Sequence, residues 1–254
     1  MGVLSFCRRG FRPKPKTGVL MAYPSLPATN RTEQVVQAHV VGAMAMRGDC
    51  PYVVEAYAML NRSPVSEARN ACAEYFMRET SHEYLMFLDA DMGHPANWYD
   101  LLGKGDIVSG LTLTWDPTRA PADRLMFNQY VVNDAGQTET AMPPGGTDPY
   151  HVDDVGAACV VIRRAVFEAL GPRPFKEATV HGEGREDILF CRAAKAAGFK
   201  VTVVPTVLFE HFKTVGLFCV LETIRAIAAQ SFQQGYKAAQ AEHPRVVPAE
   251  KEAS

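Results

Sequence analysis

The 254-residue sequence has no apolar run near the roughly 18 residues that a membrane-spanning helix needs, so an integral membrane protein is not expected. Nor does any stretch near its start read as the core of a signal peptide, so export by that route is not expected either. There is no C-x-x-C and no paired cysteine spacing. The six cysteines, Cys7, Cys50, Cys72, Cys159, Cys191 and Cys219, are scattered, several inside apolar runs. That usage fits buried, reduced thiols in a cytoplasmic protein rather than a zinc site or a disulfide frame. No glycine-rich phosphate loop follows the first apolar run, where Pro24–Thr29 stands instead. This disfavours a nucleotidyltransferase or phosphohydrolase built on such a loop. An aromatic-plus-basic stripe is also lacking, which weighs against a non-catalytic nucleic-acid-binding module.

What is present is the composition of a folded chain, 47% hydrophobic and 21% charged. At roughly 150 residues per domain, the length suits one large domain with extensions. Charge is nearly balanced, 26 basic against 28 acidic residues, but unevenly spread. Residues 1–16 hold five basic residues and no acid, leaving the rest at 21 against 28, net −7. The Arg12–Lys16 segment alternates proline with cations, so 1–16 is expected to be a basic flexible arm.

After residue 16 the pattern alternates strand and helix. Thr17–Tyr23 reads as a buried first strand stopping at Pro24, and Asn30 with Glu33 signals a helix to about Met46. A second strand is expected at Tyr52–Ala58. Ser63-Pro64 places a capping hydroxyl before a helix whose apolar face runs through Val65, Ala68, Cys72, Tyr75 and Phe76. Tyr84–Leu88 is apolar throughout, as a strand buried on both faces would be. Further expectations are a short helix from Pro95 to Leu102, a strand at Ile107–Leu113 and a hairpin over 125–140 turning at Asn133–Gly136. A strand at Val155–Ile162, helices at Arg164–Leu170 and Glu186–Ala197, and a strand at Lys200–Val204 stopped by Pro205 follow. A long amphipathic helix over 214–240 is expected to pack on the core, although dimer and membrane-surface roles stay open, and 241–254 reads as a flexible tail. Strands joined through helices imply an α/β protein with a mostly parallel sheet.

In such sheets, ligands bind beyond the carboxyl ends of the strands. The Tyr84–Leu88 strand ends there in Asp89-Ala90-Asp91. Two neighbouring carboxylates repel unless a cation joins them, and hard oxygen ligands suit Mg²⁺ or Mn²⁺. A bare D-x-D is equally an ordinary polar turn, and the residues alone leave both readings open.

Residues 66–91, with Ala68-Arg69-Asn70 ahead of the strand and its D-x-D, resemble the core of GT-A-fold glycosyltransferases. Three further segments follow in that family's order: Asp106–Gly110; Val155-Gly156-Ala157 with Val160–Arg163; and Glu186–Phe190, then Gly198, Pro205 and Glu210-His211. The resemblance covers about residues 17–215 and is nearest to the small phage or bacterial enzymes of this fold. It implies one Rossmann-like domain over 17–213 with a small hairpin insertion. The activity implied is transfer of a sugar from a nucleotide-diphosphate sugar, a UDP-sugar by preference, to a hydroxyl acceptor with inversion. The acceptor stays open: a modified DNA base, a protein or a glycan.

Residue by residue, the resemblance implies that Asp89, Asp91 and His211 hold Mn²⁺ or Mg²⁺, with Asp89 also near the ribose. Tyr23 and Pro24 would seat the nucleobase, Arg69 would reach the nucleotide or its carboxylates, and Gly156 would lie under the donor sugar. Lys213, two residues past His211, favours an anionic ligand. Asp187 would be the general base, with Glu186 beside it. Both acids also fall in the first turn of a helix, where they stabilise the macrodipole without catalytic duty. Trp115 either lines the acceptor site or packs.

Overall fold

The computed structural model describes residues 3–4, 18–24, 52–59, 63–89, 91–93, 95, 97–177, 185–211 and 217–242. The expected helix over 30–46, most of the basic arm, Lys213 and all but the first two residues of the tail lie outside them.

In chain order the strands are β1 Val3–Leu4, β2 Gly18–Pro24, β3 Val53–Met59, β4 Tyr84–Leu88, β5 Ile107–Trp115 and β6 Leu125–Phe127. They continue as β7 Gln129–Val132, β8 Thr138–Thr140, β9 Tyr150–Val152, β10 Asp154–Val155, β11 Cys159–Arg163 and β12 Val201–Phe209. The helices are α1 Val65–Glu79, α2 Arg164–Leu170, α3 Glu186–Ala196 and α4 Leu217–Glu242. Among the described residues, none of them is long and apolar enough to cross a membrane.

The chain is an α/β protein with a large central sheet ordered β1-β3-β2-β4-β11-β5-β12-β9 and a small antiparallel sheet ordered β10-β7-β8. β3, β2, β4, β5 and β12 run the same way, whereas β11 is antiparallel to both β4 and β5. The sheet is therefore mostly parallel with one reversed strand in its middle. That reversal was not expected. Arg163 ends β11 and Arg164 begins α2 without a loop between them.

Every residue of β4 is buried, as its unbroken apolar run predicts. Leu85 and Phe87 join Phe76, Phe167 and Phe190 on the helical face, while Met86 and Leu88 join Trp98 and Leu101 on the other. Each such side chain contributes about 1.5–3 kcal/mol by leaving water. The tetrad Phe167, Phe190, Phe175 and Phe87 forms a continuous aromatic chain, binding α2 and α3 to the centre of the sheet.

Four local expectations change. Ser63 does not cap α1. Pro64 occupies the cap position and no side-chain cap bond forms, so its carbonyl takes the amides of Glu67 and Ala68 instead. Among the described residues from Pro95 to Leu102, the helical element is a 3₁₀ turn at Trp98–Leu101. The expected strand at Val155–Ile162 is two strands: β10 belongs to the small sheet and β11 to the large one, and residues 156–158 carry the chain between them. Pro205 does not stop β12. Its missing N–H falls where the register against β5 shifts between Val204 and Leu208, so no ladder bond is forfeited. The strand thus reaches Phe209 and delivers Glu210 and His211 to the carboxyl edge. The hairpin turns as expected, with Asn133 N–H donating to the Gln137 carbonyl and Gly136 at φ 77°.

By its contacts the chain divides into two units, Met1–Leu113 with Phe127–Phe212, and Thr114–Met126 with Lys213–Ser254. The first holds both sheets' main strands and α1 to α3. In the second, α4 packs on the turn Pro121–Asp123 and Arg124 pairs with Glu222 at 3.1 Å. Leu221 and Ile224, apolar residues of this amphipathic helix, are exposed.

Candidate functional site

The carboxyl end of β4 is fastened by its own backbone. Asp89 N–H donates to the Ala158 carbonyl at 2.8 Å, and the Asp89 carbonyl accepts from Met92 N–H at 3.1 Å. The link across residues 156–158 puts the strand end beside the sheet-crossing segment, whose backbone groups are free of ladder duty there.

Asp89 turns inward. Both of its carboxylate oxygens accept from Arg69 Nη2, at 3.1 and 3.2 Å, and Arg69 Nη1 donates to Glu186 Oε1. Arg69 is 3% exposed on the buried side of α1, so this cation joins the end of β4 to the start of α3 inside the protein. Burial pulls the guanidinium down, but Asp89, Glu186 and Asp187 outweigh it and hold it protonated, above its ordinary value. Burial pushes Asp89 and Glu186 above the usual carboxylate range, with Arg69 opposing in both. Asn70, the next residue, clamps the segment before α3: its amide donates to the Phe175 carbonyl at 2.8 Å and accepts from Phe175 N–H at 2.9 Å.

Asp187 sits differently from Glu186. Its Oδ2 accepts from Ala157 N–H at 3.2 Å and its Oδ1 from Ile188 N–H at 2.9 Å. These bonds fix the carboxylate between the sheet-crossing segment and the first turn of α3, and they leave further lone pairs on each oxygen.

Asp91 turns outward. Its Oδ2 lies 3.1 Å from His211 Nε2, while His211 Nδ1 lies 3.2 Å from the Leu113 carbonyl. A carbonyl can only accept, so Nδ1 carries a hydrogen, and Nε2, facing a carboxylate oxygen that also only accepts, is joined to Asp91 by a proton or by a cation that takes the proton's place. A Met92–His211 bridge and the Gly93 N–H to Glu210 carbonyl bond, 2.7 Å, hold the two segments together. One hard carboxylate oxygen and one imidazole nitrogen, oriented by a backbone carbonyl, fit a divalent cation such as Mn²⁺. Asp89 instead turns both carboxylate oxygens towards Arg69. Among the described residues no group of three or more His, Cys, Asp or Glu side chains is arranged to hold a metal.

The remaining expected residues fall as follows. Tyr23 and Pro24 end β2 opposite Ala58 and Met59 of β3, at the same carboxyl edge. Arg69 contacts carboxylates of its own chain rather than lying open. Gly156 is buried and packed on the Asn128 side chain so closely that a Cβ would collide with it, so its glycine serves close packing. Trp115 ends β5 in the second unit, half-buried. Sequence reasoning did not find the Ala157 amide, the Leu113 carbonyl or the Asn70 clamp. The first two are backbone groups without side-chain signature; Asn70 stood in the Ala68-Arg69-Asn70 motif and could have been read.

No family model matches the chain, and no curated protein does. Solved structures do. A197 from STIV aligns over 78% of this chain and 87% of its own, at 15% identity and a TM-score of 0.54. GalNAc-T7, solved with UDP, GalNAc and Mn²⁺, aligns over 84% of this chain at 13% identity and a TM-score of 0.54. This chain spans about half of GalNAc-T7, 48%. These likenesses establish a shared fold, the α/β architecture described above.

Proposed function

We propose that this chain is a glycosyltransferase that moves a sugar from a nucleoside-diphosphate sugar to a hydroxyl acceptor, with inversion. The observation that carries this reading is the arrangement at the carboxyl edge of the sheet. There Asp91 meets His211, and Asp187 is held nearby by the sheet-crossing segment. The fold shared with a structure containing UDP, GalNAc and Mn²⁺ supports UDP as the nucleotide and Mn²⁺ as the metal.

On this reading Asp91 and His211 hold the metal, and the cation, when bound, neutralises the charge of the leaving diphosphate. Asp187 takes the proton of the acceptor hydroxyl as that oxygen attacks the anomeric carbon and the bond to the diphosphate breaks. Its two backbone donors orient the carboxylate before the acceptor arrives. Glu186 is a positioning residue, since burial against Arg69 keeps its carboxylate from an acceptor. Arg69 acts through Asp89 and Glu186, setting the distance between β4 and α3. Tyr23 and Pro24 lie where a nucleobase would rest.

The test measures binding and chemistry separately. Calorimetry should show UDP binding more tightly with Mn²⁺ than with EDTA, and equal affinities would sink the metal assignment. With a donor found by thermal shift and a screen of acceptors, Asp187→Asn should retain donor binding while transfer falls by roughly 10²–10⁴-fold. A fully active Asp187→Asn enzyme would leave Asp187 as an acid of the helix's first turn. The released product decides the reaction class. From a nucleotide-sugar donor nucleoside diphosphate is expected, whereas sugar 1-phosphate from that donor, or pyrophosphate from a nucleoside triphosphate, would indicate nucleotidyl transfer at the same edge instead.

A further inference from the structure

Asp154 of β10 is 0% exposed, and neither of its carboxyl oxygens has a hydrogen-bond partner. It faces α3, which packs on β10. From that helix Asp187, Cys191, Arg192 and Lys195 bear on it. Arg192 Nε stands 3.8 Å from Asp154 Oδ2, close enough for charge attraction and too long for a hydrogen bond. The Arg192 side chain is 40% exposed, and its Nη2 is engaged at 2.7 Å by Thr138 Oγ1 of β8. Lys195 pairs with Asp153, whose other oxygen accepts from Val132 N–H of β7 at 2.6 Å. Cys191 Sγ lies 3.7 Å from the Val155 carbonyl, and Tyr130, opposite Asp154 in the β7 ladder, sends its hydroxyl to Asn128. Lys195 is thus occupied by Asp153, Arg192 reaches Asp154 only at ion-pair distance, and Asp154 sits buried without a hydrogen bond in the seam between the small sheet and α3.

A buried carboxyl without donors is tolerable when neutral and strongly unfavourable when ionised. We propose that Asp154 is a proton-controlled latch between the small sheet and α3. Neutral, it lets the seam close as observed. Ionised, with its proton lost to solvent, it draws Arg192 or water into the seam and loosens it. Burial pushes this carboxyl up to about 6, against the opposing pull of Arg192 and Lys195. Because the folded value is raised, the stabilisation is complete at low pH. It is lost as pH rises from the unfolded value near 4 through about 6, and stays lost above that. Asp187 lies one helical turn before Cys191 on the same helix, so the latch sits directly behind the Asp187–Ala157 contact. The latch does not depend on which reaction the site performs.

The test compares the full-length wild type with Asp154→Asn, an isostere of the neutral acid, in denaturant titrations from pH 5 to pH 8. The ratio of wild-type to variant folding constants should fall about tenfold across that range, leaving the variant the more stable at pH 8. Parallel pH profiles would overturn the proposal. Should Asp154→Asn fail to fold, Arg192→Gln carries the test, because Arg192 is partly exposed. Removing this cation disfavours ionised Asp154, so Arg192→Gln should lose more stability than the wild type between pH 6 and pH 8; an unchanged profile would also overturn the latch. Hydrogen exchange locates the effect. After correction for intrinsic rates, amides of β10 and α3 should exchange faster at pH 8 than at pH 5 in the wild type, and uniform behaviour across the chain would count against a seam.

Discussion

Asp89 and Asp91 leave the same strand two residues apart and meet opposite surroundings. Asp89 is drawn inward to Arg69, which also holds Glu186, so two carboxylates, from the end of β4 and the start of α3, meet one desolvated cation from α1. Asp91 is turned outward to His211, on a rim where the Asp91 side chain is 39% exposed. The inward cluster holds three elements together through charge that water does not screen. The outward pair has one imidazole nitrogen oriented by a carbonyl and a carboxylate open to solvent, the features of a site that receives a ligand. A D-x-D pattern thus divides its labour: one carboxylate belongs to the scaffold, the other to the rim.

The division can be broken most severely at Arg69. Arg69→Met should leave Glu186 buried and Asp89 part-buried without their cation and cost about 3 kcal/mol of stability, the lower end for a broken buried pair, read by urea denaturation. A cost below about 1 kcal/mol, the range of exposed pairs, would show that the inward cluster is not structural. Glu186→Gln keeps the shape but removes one charge, and about 1–3 kcal/mol should be lost with little change in transfer rate. A stable Glu186→Gln protein without activity would move the general base one residue back. The smallest effect on stability belongs to the outward pair. Asp91→Asn and His211→Ala should stay within roughly 0.5–1 kcal/mol of the wild type while Mn²⁺-dependent UDP binding, read by calorimetry, is lost or weakened. If either variant unfolds instead while keeping its metal dependence, the pair is scaffold and the comparison fails.

Much of this was legible in the chain. The unbroken apolar run of β4 announced a strand buried on both faces, and the D-x-D marked its end. The Ala68-Arg69-Asn70 helix, the hairpin turn and Glu186-Asp187 at the start of α3 could also be placed. What could not be read was direction. Nothing in Cys159–Arg163 says that the strand runs against its neighbours, because an apolar run looks the same in either direction. Pro205 reads as a strand stop because its missing N–H is costly in a regular ladder, whereas here it falls at an irregularity of register. Asp153 and Asp154 are adjacent acids that the sequence does not distinguish, and only the packing of α3 over β10 buries the second.

The sequence by itself determined the periodic apolar runs, the turn residues and the order in which acids and histidine appear, since these follow from local backbone preference and from which faces must leave water. Tertiary structure alone decided which of those acids are partners. Arg69 and Glu186 are 117 residues apart along the chain, and Asp91 and His211 are 120. Electrostatic attraction acts through space over a few ångströms, so the roles of these charges exist only once the sheet has brought them together.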